Sequence, residues 1–382
     1  MRRFRFFAFL LALTLLPQLL AAGDLVAWLS ARPEAEGLAP LVPPLLVLIN
    51  IPLAVELLRR RRQAAIPRML AAALQIPWTA FWLGSVLYAM ARLFWALPDA
   101  LGAGPMPMGL ALAPFALSLY GALFGSHVLR RERVTIPVAG LPPGWQGARI
   151  VQLSDLHAGR HMGRERLRAI ARRAARLSPD LLVVTGDIVH NSPAFARRAA
   201  EAIALVRAPL GTFACLGNHD FLAGADLVAR ELAAAGIPVL RNEGRWLVRN
   251  GDGLWLCGVD DVWSPRFDLA AALRGKPEGA PVVLLSHQPN TWPLAQAAGV
   301  HLQLSGHTHG GQLALLWLHR SLSLARFITP FVAGLYRAGQ SHLYVNRGAG
   351  TVMPLIRLGS RPEVTEITLV AADASAPELA HA

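Results

Sequence analysis

The stretch Ile150-Val151-Gln152-Leu153-Ser154-Asp155-Leu156-His157 decides the fold. Its first four residues make a short buried strand, and the strand runs directly into an aspartate and a histidine two positions apart. The same construction recurs four times downstream. Leu181-Leu182-Val183-Val184 leads to Gly186-Asp187, and Thr212–Leu216 leads to Gly217-Asn218-His219-Asp220. Val282-Val283-Leu284-Leu285 leads to Ser286-His287, and Leu302-Gln303-Leu304 leads to Gly306-His307-Thr308-His309. Between the first two strands Leu167, Ile170, Ala171, Ala174 and Leu177 recur at helical spacing. Strand, polar loop, helix, strand is the α/β alternation. Such sheets bind ligands beyond the carboxyl ends of their strands, where the polar residues gather here. A hairpin over Trp246–Val248 and Leu254–Val259, turning at Gly251-Asp252-Gly253, makes the expected sheet mixed rather than parallel.

On an extended segment side chains alternate, so Asp155 and His157 are expected to point the same way, as are His307 and His309. Gly186, Gly217 and Gly306 let the chain turn sharply beside each polar residue. A single such fragment is equally a core or surface histidine, but five in this order, each at a strand end, are not a chance arrangement. Carboxylate and amide oxygens mixed with imidazole nitrogens suit hard or borderline divalent ions such as Mn2+, Fe2+ or Zn2+. Cys215 and Cys257 lie inside apolar strands, which implies no disulfide framework and argues against a structural zinc site.

Upstream the texture changes. The 382 residues are 54% hydrophobic and only 16% charged, and the excess oil is concentrated before position 150, where 14 arginines stand against 6 acidic residues. Four apolar runs, about 6–22, 38–58, 70–89 and 108–128, approach the ~20 helical residues that cross a hydrocarbon core. The first is alternatively a cleaved signal, with Arg2, Arg3 and Arg5 before it and Ala21-Ala22-Gly23 after it. Either way the carboxy-terminal part ends on the inside. Eleven arginines (2, 3, 5, 59–62, 68, 130, 131 and 133) flank one side of the runs and only Arg32 and Arg92 the other. Most of the net charge of +13 is thus an orientation signal, which makes nucleic acid a poor partner. Asn50 and Glu56 inside the second run raise transport or proton relay, against helix bonding for Asn50 and pairing with Arg59–Arg62 for Glu56. Pro43, Pro44 and Pro52 would kink that helix. The expected organisation is a four-helix membrane domain over 1–133, a linker over 134–147, an α/β domain over 148–370 and a disordered tail over 371–382.

The ordered blocks D-x-H, G-D, G-N-H-[DE], [GS]-H and G-H-x-H resemble the calcineurin-like metallophosphoesterases over about 148–370. The trailing Gly310-Gly311-Gln312, and Leu343–Gly348 running on to Arg361–Thr365, look like the membrane-associated bacterial phosphodiesterase branch. The resemblance implies a four-layer αββα sandwich of two mixed sheets with a dinuclear metal site at strand ends. It implies that Asp155, His157, Asp187 and His309 hold one divalent ion, and Asp187, Asn218, His287 and His307 the other, with a hydroxide between the ions attacking phosphorus. His219 would act on the leaving group, Asp220 would orient His219, and Gly310, Gly311 and Gln312 would contact phosphoryl oxygens or water. The expected protein is a phosphodiesterase or pyrophosphatase on the cytoplasmic side of a bacterial inner membrane, with a lipid-linked phosphoester as substrate. Two other classes stay open: an inactive metal-binding scaffold on the same fold, and a transporter or sensor with a regulatory domain.

Three features lie outside the blocks. His161 and His190 follow ligand loops and read as solvent-exposed side chains or substrate contacts. The arginines of 164–176 read as a solvated helix face or an anionic-lipid contact. The apolar stretch 313–336, with Leu315, Leu316, Trp317, Leu318, Phe327, Ile328, Phe331 and Val332 around His319, Arg320 and Arg326, reads either as core or as an interfacial flap with Trp317 at headgroup level.

Overall fold

The computed structural model describes residues 2–62, 68–316, 318–319, 322–352 and 355–372, with 2–13, 53–62 and 68–74 described by their backbone only. Two compact units result: Met1–Gly125 with Met353–Leu358, and Ser126–Val352 with Gly359–Ala382.

The first unit is helical. Helices α1 (Arg2–Ser30), α2 (Val42–Arg62), α3 (Arg68–Pro98) and α4 (Met108–Tyr120) overlap the four apolar runs, α2 starting later than its run and α4 ending before position 128. Among the described residues, Gln75–Ala103 and Met108–Gly125 are long and apolar enough to cross a membrane, while Thr14–Ser30 and Glu36–Pro52 are shorter apolar helices. Asn50 bonds neighbouring helices: its amide donates to Gln18 Oε1 at 2.6 Å, and Trp78 Nε1 donates to its oxygen at 3.2 Å. That is the helix-bonding use of a polar residue in an apolar bundle. Arg92 pairs with Asp24 at 3.4 Å and Arg32 stacks over Trp28. The side chain of Glu56, and with it the expected pairing to Arg59–Arg62, lies outside the described residues.

The second unit holds two mixed sheets. One has the order β1-β11-β2-β3-β4, from β1 (Arg130–Val138), β2 (Arg149–Leu153), β3 (Leu181–Thr185), β4 (Thr212–Cys215) and β11 (Glu363–Ala371). The other has the order β5-β6-β7-β8-β10-β9, from β5 (Glu243–Arg249), β6 (Asp252–Gly258), β7 (Val282–Leu285), β8 (Leu302–Ser305), β9 (Gly334–Ala338) and β10 (Ser341–Val345). Alternate residues sort the faces. Ile150, Leu181, Val183, Phe213 and Cys215 of the first sheet share one core with Leu254, Leu256, Val283, Leu285 and Leu304 of the second. The opposite face of the first sheet (Val151, Leu153, Leu182, Val184) packs under α5 (Arg164–Ala175), α6 (Ala196–Ile203) and α8 (Ala225–Ala234). Cys257, Val282 and Leu284 pack under α9 (Leu269–Leu273) and α10 (Trp292–Ala297). The layers therefore run helix, sheet, sheet, helix. Each fully buried aliphatic contributes roughly 1.5–3 kcal/mol, so both sheet faces are specified by their unbroken apolar runs. In α5, Leu167, Ile170, Ala171 and Ala174 are buried while Arg168, Arg172 and Arg173 face solvent, as their spacing requires.

The expected linker over 134–147 is not a linker. Residues 130–138 form β1, parallel to β11 with Val134 opposite Ile367, and Trp145 beyond it is wholly buried with its indole donating to the Asp252 carbonyl. Pro137 reads as a breaker, yet β1 is an edge strand, where a missing amide costs no ladder bond. Arg131 and Arg133 accordingly pair with Glu366 of β11. The sheet also continues one residue beyond the expected end at 370, and of the expected tail residues 373–382 lie outside the described ones.

The segment after β8 is only partly core. Ala314, Ala325, Val332 and Ala333 are buried, whereas Leu318, Leu324, Phe327 and Ile328 are exposed. Trp317 and Arg320 lie outside the described residues.

Candidate metal centre

All five strand-end blocks meet at one edge of the two sheets. Asp155 and His157 follow β2, Asp187 follows β3, Asn218 and His219 open α7 (Asn218–Ala223) after β4, His287 follows β7, and His307 and His309 follow β8. They converge by a different route from strand alternation. Asp155, His157, Asp187, His307 and His309 all have positive φ, between 45° and 72°, so each loop turns left-handed as soon as its strand ends. Asp and His are short polar residues of the kinds enriched there, and such conformations cluster at functional sites. The glycines make the crowding feasible. A Cβ on Gly217 would meet the Asp187 carboxylate and stand 2.6 Å from its amide nitrogen, and one on Gly186, itself at φ +84°, would stand 2.5 Å from His287 Nδ1.

Among the described residues three groups of three ligand atoms result, each gathered within 4.8 Å: Asp155, His157 and His309; Asp187, His287 and His307; and, beside the first, His157, His190 and His219. The Nε2 atoms of His157 and His309 face each other at 3.0 Å, with Asp155 Oδ1 3.8 Å from the first and 3.4 Å from the second. Asp187 Oδ2 lies between the first two groups, 3.5 Å from His157 Nε2 and 3.3 Å from His287 Nε2. Asn218 Oδ1 is buried with no hydrogen-bond partner among the described residues. One of the two facing rings can donate to the other, but an amide oxygen left unsatisfied is costly in a buried site unless a cation answers it. The donor set of carboxylate, amide and imidazole fits a divalent ion of the manganese, iron or zinc kind.

The surroundings fix the orientation of these groups. His287 Nδ1 donates to the Thr185 carbonyl at 2.8 Å, which leaves Nε2 directed at Asp187. Ser154 Oγ donates to Asp155 Oδ2 at 2.6 Å, and the His219 amide donates to Asp187 Oδ1 at 2.9 Å. Burial keeps the His157 ring well below the usual histidine range and brings His307 down to about 4, so both are neutral near pH 7. Burial opposes charge on Asp187 too, yet the neighbouring His287 overrides it and holds the carboxyl low.

Asp220 does not orient His219. Its carboxylate accepts the amides of Gly217, Ile188 and Val189, at 2.9–3.2 Å, and thereby staples the loop after β3 to the start of α7. The partner of His219 is Asn191, whose Oδ1 lies 2.6 Å from Nδ1. Because an amide oxygen only accepts, Nδ1 carries the proton and Nε2 stays available. Gly310 and Gly311 are not free donors either, since their amides go to Thr308 Oγ1 and to the Thr308 carbonyl.

His190 stacks on His219, ring centres 5.1 Å apart, and stands 5.5 Å from His157, so it belongs to the site and not to open solvent. Trp263 has its ring edge-on to His307 at 5.7 Å and is 68% exposed, an aromatic wall at the mouth that no sequence block announces. Asn191 was equally hidden. The only signal was its position four residues after Asp187, in a loop already expected to carry a ligand.

The family model described as calcineurin-like phosphoesterase matches residues 148–311. A transmembrane protein with metallophosphoesterase domain from Danio rerio is 34% identical over 66% of this chain and 60% of its own length. Phosphodiesterase YaeI of Escherichia coli is 31% identical, over 58% of this chain and 82% of its own length. The UDP-2,3-diacylglucosamine pyrophosphatase LpxG of Chlamydia trachomatis is 30% identical, over 57% of this chain and 82% of its own length. The chain thus spans less than two thirds of the zebrafish protein and most of the two bacterial ones.

Proposed function

The chain belongs to the calcineurin-like phosphoesterases, and from that premise we propose that it hydrolyses a phosphodiester or pyrophosphate bond of a lipid-linked substrate with two divalent metal ions. The observation that carries the reading is the pair of ligand groups, Asp155–His157–His309 and Asp187–His287–His307, joined by Asp187 Oδ2, which lies near His157 as well as His287. Asp155, His157, Asp187 and His309 would hold one ion, and Asp187, Asn218, His287 and His307 the other. When bound, such ions supply Lewis acidity at phosphoryl oxygens and make water nucleophilic near neutral pH. His219 is the proton donor for the leaving oxygen in its imidazolium form, giving up the proton on Nε2 while Nδ1–H stays on Asn191 Oδ1. Asn191 acts through His219 and is a positioning residue. Asp220 holds the two loops together and takes no part in proton transfer.

The remainder of the reading is organisation: a multi-pass protein of a bacterial inner membrane, with the phosphoesterase domain on the cytoplasmic side. The two helices of membrane-spanning length and the arginine asymmetry support it. LpxG acts on a diacylated nucleotide sugar by its name, which supports a lipid-linked substrate for this chain.

A leaving-group series tests the chemistry. With Mn2+, the full chain in detergent is expected to cleave bis(p-nitrophenyl) phosphate and to lose this activity on chelation. His219→Ala should slow a diester with an alkoxide leaving group by about 10²–10⁴-fold and an activated aryl diester far less. Asn191→Ala should follow the same pattern at about 10–100-fold, with Asn191→Asp recovering much of the loss. Equal losses on both leaving groups would remove His219 from the role of proton donor.

A further inference from the structure

The segment between β8 and β9 has a fixed inner side and an apolar outer one. Ser323 Oγ donates to the Gly310 carbonyl, Thr308 Oγ1 donates to the Val332 carbonyl, and Thr329 Oγ1 donates to Asn290 Oδ1, so the segment is tied to the loops that carry His287, His307 and His309. Ala325 and Val332 fill its underside. The short helix Leu324–Phe327 then turns Leu324, Phe327 and Ile328 outwards, 54%, 90% and 72% exposed. Adjacent Leu318 is 62% exposed. Arg326 of the same short helix is exposed, with no ion pair among the described residues. A buried hinge side of this kind could have tolerated polar residues on its solvent face, yet the face is apolar around one cation. Contiguous exposed apolar residues mark an interaction site.

We propose that this outer face, Leu324, Phe327 and Ile328 with Arg326 beside them, docks on the headgroup layer of an anionic lipid bilayer and so presents lipid-borne phosphoesters to the metal centre. Two observations select the bilayer over a protein partner. The same chain carries two helices long and apolar enough to cross a membrane, so it meets that surface at high effective concentration and a small apolar face suffices. An unpaired arginine amid apolar side chains is complementary to an anionic headgroup above acyl chains. The docking stands without the phosphoesterase reading; only the substrate it delivers rests on that reading.

The experiment uses the full chain reconstituted in vesicles containing anionic lipid. Cys215 and Cys257 are buried, so a fluorophore attached to Phe327→Cys reports one position, with Arg197→Cys on α6, 81% exposed, as the control. The label at 327 is expected to be quenched about twofold or more beyond the control by nitroxide-bearing lipids, and to be shielded from aqueous iodide. Arg326→Glu should reduce both effects. Shielding from iodide without quenching by lipid would point to a second copy of the chain on this face and overturn the proposal, as would free access of iodide. In the activity arm, Phe327→Asp with Ile328→Asp should lower kcat/KM for a phosphodiester lipid in the vesicle by about tenfold and leave a soluble aryl diester unchanged. A parallel fall on both substrates, or on neither, would overturn the delivery role.

Discussion

Asp187→Asn is expected to lower kcat/KM for an aryl phosphodiester by about a thousandfold or more, with the fold intact. Among the described residues, Asp187 Oδ2 is the carboxylate oxygen placed against both ligand groups, 3.5 Å from His157 Nε2 and 3.3 Å from His287 Nε2. Removing its charge weakens both ion sites together. Several kcal/mol of charge stabilisation at the transition state are then lost, and each ~1.4 kcal/mol is a factor of ten. Asparagine retains an oxygen for the His219 amide, so the loop geometry need not change. Elemental analysis should find the wild-type chain carrying two ions and the variant fewer, while the circular dichroism spectrum stays the same. Ligands that serve only one group should behave differently: His309→Ala should reduce the metal content by about one and respond to added Mn2+, because the other group keeps its charge. A variant at position 187 with full metal content and full activity would dismiss the shared-ligand reading.

The strands that lead to the candidate site were legible because buried parallel strands are unbroken apolar runs, and β2, β3, β4, β7 and β8 begin and end within a residue or so of those runs. What escaped is what tertiary pairing alone decides. β1 is half charged and contains Pro137, and it becomes a strand only because β11, more than 200 residues away, offers it an edge. The expected ligand residues are brought together for a reason that differs from the one inferred: Asp155 and His157 converge through two left-handed residues, a conformation that strand periodicity cannot report. The role expected of Asp220 falls to Asn191 for a similar reason. Adjacency in sequence suggested that Asp220 serves His219, but at the first turn of a helix a carboxylate captures backbone amides, and Gly217, Ile188 and Val189 all reach it. Asn191 arrives from another loop.

Metal affinity should rise with pH, tenfold per unit between about pH 6 and 10. In the metal-free chain burial works against a charged His287, but Asp187 beside it prevails and raises the ring to about 10. At neutral pH that proton sits on Nε2, since Nδ1 is committed to the Thr185 carbonyl, and Nε2 is the atom an ion needs. Binding must therefore displace one proton. His157 and His307 have none to give, since burial already keeps them neutral. Burial, with the Asp187 charge adding to it, raises Asp155 to about 6, so below that pH a second proton competes. In every case the ligating form is the deprotonated one. The dependence should therefore steepen to about a hundredfold per unit below about pH 6 and flatten above about pH 10. Titration of the chain with Mn2+ at pH 7.5 by calorimetry, in buffers of different ionisation enthalpy, counts the released protons directly. His287→Asn replaces the ring with a ligand that carries no titrating proton, so it should remove close to one proton from that count and flatten the slope over pH 6–10. If the count is the same in the wild type and the variant, the His287–Asp187 pair is not what the ion displaces, and the proton must come from elsewhere in the site.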